Sequence, residues 1–284
     1  MKIVVCIPAR YDSTRFPGKV LAQDTGKYLI QHTYEQALQA KLPQRVIIAA
    51  DDEKIVAAAA EFGGECVLTS PDHQSGTDRI AEATRDLDVD IVINVQGDEP
   101  EIDCVHIDHL AQLLIDHPDC PMATLATGFS DKEQIADPNV VKVIVSSRPV
   151  GATPRGCPPC VGQAQGPAPT QNAPAQAIYF SRSVIPYDRD HAGVGNVSHY
   201  LRHIGIYAYR KDFLHQITTL PQTPLEKLEK LEQLRAIEHG FAILVGTVNH
   251  TCEGIDTPEQ YAAFVERYKT KQERLTQSSP SIMR

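Results

Sequence analysis

The residues with the clearest chemistry lie in one short segment, Pro8-Ala-Arg-Tyr-Asp-Ser-Thr-Arg-Phe-Pro-Gly-Lys19, which carries three cations: Arg10, Arg15 and Lys19. Arginine offers a planar fork that meets phosphate oxygens in pairs, and lysine offers a point charge. Three fixed positive charges on one loop suit a polyphosphate. The competing reading is a solvated loop with scattered cations. The segment has no G-x-G-x-x-G and no G-x-x-x-x-G-K-[ST]. A dinucleotide fingerprint and a P-loop are therefore unsupported. Phosphates would be held by side chains plus some backbone rather than by a glycine nest.

Two acids complement the cations. Asp98 sits in Gln96-Gly-Asp-Glu-Pro100, directly after the apolar run Asp90–Val95. Hard oxygen ligands suit Mg²⁺, which binds through one or two carboxylates plus substrate phosphates. The alternative is a helix N-cap, a role that Asp favours. Asp256, in Gly254-Ile-Asp-Thr-Pro258, reads alone as an ordinary cap followed by Pro. Together with Asp98 it would complete a metal site for a polyphosphate substrate.

Other candidates are weaker one by one. Ser75-Gly-Thr-Asp-Arg79 enters a helix. It reads either as capping by Thr77 or Asp78, or as an edge for a base with Arg79 facing an anion. His73 reads as a loop histidine. Arg182, Arg202, His203 and Tyr207 form a polar set, and His203 and Tyr207 share one face of a strand. That face suits a sugar-acid pocket, and cross-strand surface pairs are the alternative. Glu232 and Gln233 read as a solvated stripe. Cys157-Pro-Pro-Cys160 lacks two further ligands at metal spacing and reads as two thiols in a loop.

These residues need a scaffold, and the hydrophobic pattern describes one. Strands are expected at Ile3–Ile7, Arg45–Ala50, Cys66–Thr69, Asp90–Val95 and Met122–Thr127, with helices around Tyr28–Ala40, after Asp51-Asp52, which read together as its cap, from Arg79 to about Leu87, and Val105–Asp116. The alternation implies an α/β fold with a mostly parallel central sheet, right-handed crossovers and flanking helices. In such sheets ligands bind beyond the carboxyl ends of the strands, where the Arg10–Lys19 loop and Asp98 both fall. The pattern then changes: Val140–Val145, Ala177–Phe180 and Leu201–Tyr209 read as strands with no helix between the first two. Ser146–Gln176, rich in Pro, Gly, Ala and Gln, reads as a long mobile insertion. A helix at Pro224–His239 repeats Leu225, Leu228, Leu231, Leu234 and Ile237 every third residue, so its apolar residues spread around it and call for burial on several sides. Phe241–Val248 is a last strand, a final helix opens at Pro258, and the tail 271–284 is expected to be disordered. As domains, 1–270 reads as one α/β unit: 1–130 mainly nucleotide-binding, 131–250 mainly a smaller sugar-binding and dimerisation lobe, and 251–270 a return helix.

Composition sets bounds. The 284 residues carry a net charge of −9, which argues against a nucleic-acid or anionic-membrane surface. Attraction for an anion must then come from local cations and a bound divalent metal. The seven cysteines are odd in number and mostly in apolar strands, which fits a reducing cytoplasm. A strand beginning at residue 3 leaves no room for a signal or transit peptide, and no apolar run has the length of a membrane span.

Several stretches, in this order, resemble the signature of the CMP-KDO synthetase (3-deoxy-manno-octulosonate cytidylyltransferase) family. They are Pro8–Lys19, His73–Arg79, Asn94–Pro100, Tyr179-Phe-Ser-Arg-Ser183, Arg202–Tyr207, Leu231-Glu-Gln-Leu-Arg235 and Ile255–Pro258. The resemblance covers nearly all of residues 1 to 270. It implies a nucleotidyltransferase, Rossmann-like fold, a cytoplasmic homodimer, Mg²⁺ dependence and a place in lipopolysaccharide biosynthesis. The implied reaction is CTP plus KDO giving CMP-KDO and diphosphate. On the same basis Ala9, Arg10, Arg15 and Lys19 hold the nucleotide with Ser75, Gly76, Asp78 and Arg79. Asp98 and Asp256 bind Mg²⁺ and, with Lys19, are catalytic. Gln96, Arg182, His203, Tyr207, Glu232 and Gln233 hold the sugar acid. The alternatives are a relative acting on an amino-substituted KDO or a sialic-acid-type substrate, and a nucleotide-binding protein without catalysis. The family usually joins the equivalents of Val145 and Ala177 by a short turn, so the Ser146–Gln176 link is a departure.

Overall fold

The computed structural model describes residues 1–13, 15–149 and 175–278. Most of the Ser146–Gln176 insertion, with Cys157 and Cys160, lies outside the described residues, as does the end of the tail. Packing divides the chain into two compact units. The first comprises Val4–Asp88, Asn94–Val105 and Cys252–Arg284, and the second Met1–Ile3, Val89–Ile93 and His106–Thr251.

In chain order the first unit carries β1 (Ile3–Ala9), α1 (Leu29–Ala37), β2 (Arg45–Ala50), α2 (Glu53–Glu61), β3 (Cys66–Leu68) and α3 (Gly76–Thr84). β1 is buried along almost its whole length, as an unbroken apolar strand must be when both faces are covered. β1 pairs with β2 in parallel, Val5 beside Val46 and Ala9 beside Ala50, and β2 pairs with β3 in parallel, Ala50 beside Leu68. Parallel pairing brings the three carboxyl ends to one edge. The loops that begin at Arg10, Asp51 and Thr69 therefore leave the sheet side by side. Val95 N–H donates to the Cys6 carbonyl at 3.2 Å, so the Gln96–Glu99 turn follows the same edge. Asp52, rather than Asp51, caps α2, accepting from Lys54 N–H. The Ser75 hydroxyl, rather than Thr77 or Asp78, caps α3 by accepting from Asp78 N–H at 3.1 Å.

The second unit carries β4 (Ile91–Asn94), α4 (Cys104–Asp116), β5 (Met122–Gly128), α5 (Lys132–Ala136), β6 (Lys142–Pro149), β7 (Ala175–Ser181), β8 (Leu201–Arg210), α6 (Lys211–Thr219), α7 (Pro224–Glu229), α8 (Gln233–Glu238) and β9 (Ile243–Val248). Its strands lie in the order β4-β8-β5-β9-β7-β6. β5 runs parallel to β9 and antiparallel to β8, and β6 and β7 are antiparallel. The α/β class holds, but the sheet is mixed: strands joined without a crossover helix return antiparallel. The chain then closes the first unit with α9 (Pro258–Ser278).

Two helices differ from expectation. The leucine-rich segment is not one helix. It breaks at Lys230, which is left-handed at φ 54°, into α7 and α8. The break re-phases the leucines, so Leu231 and Leu234 are buried while Leu228 stays exposed. α9 continues past Lys271 to Ser278, in a stretch with no Gly or Pro to stop it. Among the described residues no helix is long and apolar enough to cross a membrane.

Candidate active site

The densest constellation lies in the first unit, around Lys19. Its Nζ is 2.5 Å from Asp98 Oδ2, 2.8 Å from the Ile255 carbonyl oxygen and 3.2 Å from Asp256 Oδ1. These three acceptors match the three protons of an ammonium group. Only 11% of the Lys19 side chain is exposed. Two carboxylates held this close repel each other unless a cation sits between them, and here the cation is Lys19. Arg15 adds a pair to Asp256 at 3.1 Å, but both partners are well exposed and such pairs contribute little.

Local structure explains the convergence. Gly18, at φ +68°, turns the chain into a short 3-10 turn at Lys19–Leu21, and its N–H donates to the Tyr11 carbonyl, closing the loop on itself. Gly97 lets the Asp98 turn lie against β1: a Cβ there would stand 2.9 Å from the Pro8 carbonyl oxygen and 3.0 Å from Ile30 Cδ1. Ile255 N–H donates to the Asp98 carbonyl at 2.8 Å, which ties the two acidic segments together. The Ile255 side chain is anchored among Leu29, Tyr261, Phe264 and Val265, with Phe16 packed on the same cluster. The base of α9 thus holds Asp256 and the cationic loop together. His32 lies under α9, edge-on to Phe264 and Tyr268 and bonded to the Thr25 hydroxyl; burial lowers its pKa to about 4.

Arg10 is exposed and donates from Nη2 to the His73 carbonyl at 2.9 Å. His73 in turn pairs with Glu82, which also accepts Ser70 N–H. Ala9 is buried at the end of β1. Ser75, Gly76 and Asp78 line the start of α3, partly exposed. Gly76 lies so close to Pro8 that a Cβ would meet its ring at 3.3 Å. Arg79 does not face outward as expected. It is fully buried, and its guanidinium donates to the Thr69 hydroxyl at 2.8 Å, the Ser70 carbonyl at 3.3 Å and Asp51 Oδ2 at 3.3 Å. Gln96 is half-buried beside Asn94.

The remaining sugar-acid candidates belong to the second unit. Phe180 is edge-on to His203, and His203 lies 5.5 Å from Tyr207, centroid to centroid. The register slips between Thr124 and Leu125, giving β8 a bulge at Gly205-Ile206, and the Thr124 hydroxyl reaches the carbonyls of Ile204 and Ile206 and His203 Nε2. Burial lowers the His203 pKa to about 3, so the ring is neutral. Arg182 spreads its guanidinium over carbonyls: Nε on Glu229 at 2.7 Å, Nη1 on Pro138 at 3.1 Å and Nη2 on Lys230 at 3.5 Å. It thereby satisfies the carbonyl end of α7. Glu232 is half-buried near Arg235. Gln233 is 4% exposed, not part of a solvated stripe, and among the described residues its Nε2 has no hydrogen-bond acceptor. A buried amide donor left unpaired is costly, and a ligand oxygen would satisfy it.

The sequence reading missed Asp51, taken only as half of a helix cap. The doubled Asp51-Asp52 was the available signal, since one carboxylate is enough for the cap.

The chain matches the family model described as Cytidylyltransferase over residues 4–244. It is 44% identical over 264 residues to the 3-deoxy-manno-octulosonate cytidylyltransferase of Syntrophotalea carbinolica, covering 91% of this chain and 95% of that protein. It is 42% identical over 276 residues to that of Rhodopirellula baltica, covering 95% and 100%. Among solved structures it is similar to a CMP:2-keto-3-deoxy-manno-octonic acid synthetase complexed with CTP, with TM-score 0.81, 38% identity, and 95% and 100% of the two chains covered. A Leptospira borgpetersenii cytidylyltransferase, 14% identical with TM-score 0.55 over 100% of both chains, shares the fold.

Proposed function

The chain belongs to the cytidylyltransferase family, with 3-deoxy-manno-octulosonate cytidylyltransferases as its relatives, and from that premise we propose how its residues divide the work. It is a nucleotidyltransferase that joins CTP to KDO, giving CMP-KDO and diphosphate. The observation that carries the assignment of roles is Lys19, a cation shared by Asp98 and Asp256 at the carboxyl edge of β1.

Arg10 and Lys19 hold the triphosphate, with Arg15 at the rim. Among the described residues Arg10 bonds a neutral carbonyl, and a phosphate would add an opposite charge and a second oxygen in the plane of the guanidinium fork. Ala9, Ser75, Gly76 and Asp78 line the nucleotide. Asp98 and Asp256 fit Mg²⁺, because their oxygens already converge on one cation. When bound, the metal neutralises charge on the triphosphate and lowers the pKa of the attacking hydroxyl. The anomeric hydroxyl of KDO attacks the α-phosphorus in line as the bond to diphosphate breaks, a transfer that depends on positioning and charge neutralisation. Gln96, Arg182, His203, Tyr207, Glu232 and Gln233 hold the sugar acid. The Gln233 amide, without an acceptor among the described residues, supports this, and Arg182 would exchange neutral carbonyls for the KDO carboxylate. The protein acts in the cytoplasm as a homodimer.

Diphosphate release from CTP, Mg²⁺ and a panel of sugar acids is the test. Release with KDO well above the amino-substituted and sialic-acid-type substrates supports the reading. Release with none of them would end it.

A further inference from the structure

A buried guanidinium is expensive, and removing one partner of a buried ion pair is strongly destabilising, while an apolar side chain of similar volume would fill the same space. Arg79 therefore calls for a role beyond packing. Its partner Asp51 stands directly after β2 and takes no part in capping α2. One Asp51 oxygen, Oδ2, accepts from Arg79, and the other, Oδ1, accepts from Tyr11 N–H at 2.9 Å. That N–H belongs to the peptide joining Arg10 to Tyr11, so fixing it fixes the direction in which Arg10 leaves the strand. On its other side Arg79 holds the Ser70 carbonyl and the Thr69 hydroxyl, at the root of the loop whose His73 carbonyl receives the Arg10 guanidinium. Both anchors of Arg10 thus trace back to Arg79. The Lys54 ammonium, 4.0 Å above the Tyr11 ring, pins the same residue from outside.

We infer that Arg79 and Asp51 are positioning residues: without touching the nucleotide, they set the Arg10–Tyr11 peptide so that Arg10 is aimed at the triphosphate before CTP arrives. The inference rests on the assignment of Arg10 to the triphosphate. Pre-aiming lowers the ordering cost of binding, so its loss should appear in CTP affinity and leave the sugar acid unaffected.

The test is a double-mutant cycle on the full chain, with CTP affinity measured by calorimetry and KM measured for both substrates. Asp51→Asn, and separately Arg79→Lys, should weaken CTP about tenfold, leave the KM for KDO unchanged, and speed hydrogen exchange at the Tyr11 amide. In an Arg10→Ala background, Asp51→Asn should cost less than about twofold more, because the group it aims is gone. If Arg79→Lys fails to fold, the Asp51–Arg10 cycle decides alone. Wild-type CTP affinity in either single variant, or an undiminished loss in the Arg10→Ala background, overturns the inference and leaves the proposed reaction standing. A wild-type chain that binds no CTP overturns both.

Discussion

At the scale of single residues, the structure turns isolated signals into a mutual arrangement. Asp98 and Asp256 each looked like a cap in the sequence, and only their shared contact with Lys19 separates them from ordinary caps. No local pattern reports that contact, because the partners lie far apart along the chain. Asp98→Asn should lower turnover at least about a hundredfold with circular dichroism unchanged, because it removes charge from the pair proposed to hold Mg²⁺. Near-normal diphosphate release would remove Asp98 from that role. His32 gives a prediction about pH. Its folded pKa, about 4, lies below the ordinary value of 6.5, so folding favours the neutral ring. Stability from this residue is complete above about pH 6.5 and is lost as pH falls toward 4, with a slope near 1.4 kcal/mol per pH unit in that window. His32→Gln should flatten that part of the stability curve in urea titrations, and an unchanged slope would show that the ring does not contribute.

At the scale of elements, the parallel strands were legible because short apolar runs rich in β-branched residues and bounded by turn residues favour strands over helices. Their boundaries moved by a residue or two. The single helix expected over Pro224–His239 was wrong because a leucine at every third position fits no straight helix face. The chain resolves the mismatch with a left-handed Lys230. Side chains with a Cβ pay about 1–2 kcal/mol in that conformation. Lys230→Gly should therefore raise stability by up to about 1 kcal/mol, part of the gain being offset by the freer unfolded chain. A lower urea midpoint would show that the lysine makes contacts worth more than the relief. Gly97→Ala should do the reverse. A methyl group 2.9 Å from the Pro8 carbonyl oxygen meets backbone that cannot swing aside, so a loss of about 1–3 kcal/mol and a displaced Asp98 are expected. An unchanged melting temperature and turnover would show that the Asp98 turn has slack.

At the scale of the whole molecule, an acidic protein with net charge −9 carries three cations, Arg10, Arg15 and Lys19, on the loop proposed to meet its anionic substrate. That much was readable from composition and the first loop. The division into units was not. α4 and β5 group with the later strands because β5 pairs with β8 and β9, a relation that sequence order conceals. The long insertion begins and ends on paired strands, with Pro149 in register with Ala175. A short turn can bridge such neighbours, and loop-closure cost changes slowly with length. Replacing residues 150–174 by a few Gly and Ser should shift the melting temperature by no more than a few degrees, and a collapse would show that the segment is packed.

Lys19 and Asp256 meet across a sequence separation of 237. At roughly 5–20 residues per second, a ribosome needs on the order of ten to fifty seconds to travel that distance. Throughout that interval the chain lacks Asp256 and the α9 residues Tyr261, Phe264 and Val265 that seat Ile255 beside it. The order of synthesis thus leaves the Lys19 cluster incomplete until the chain's last helix is being made.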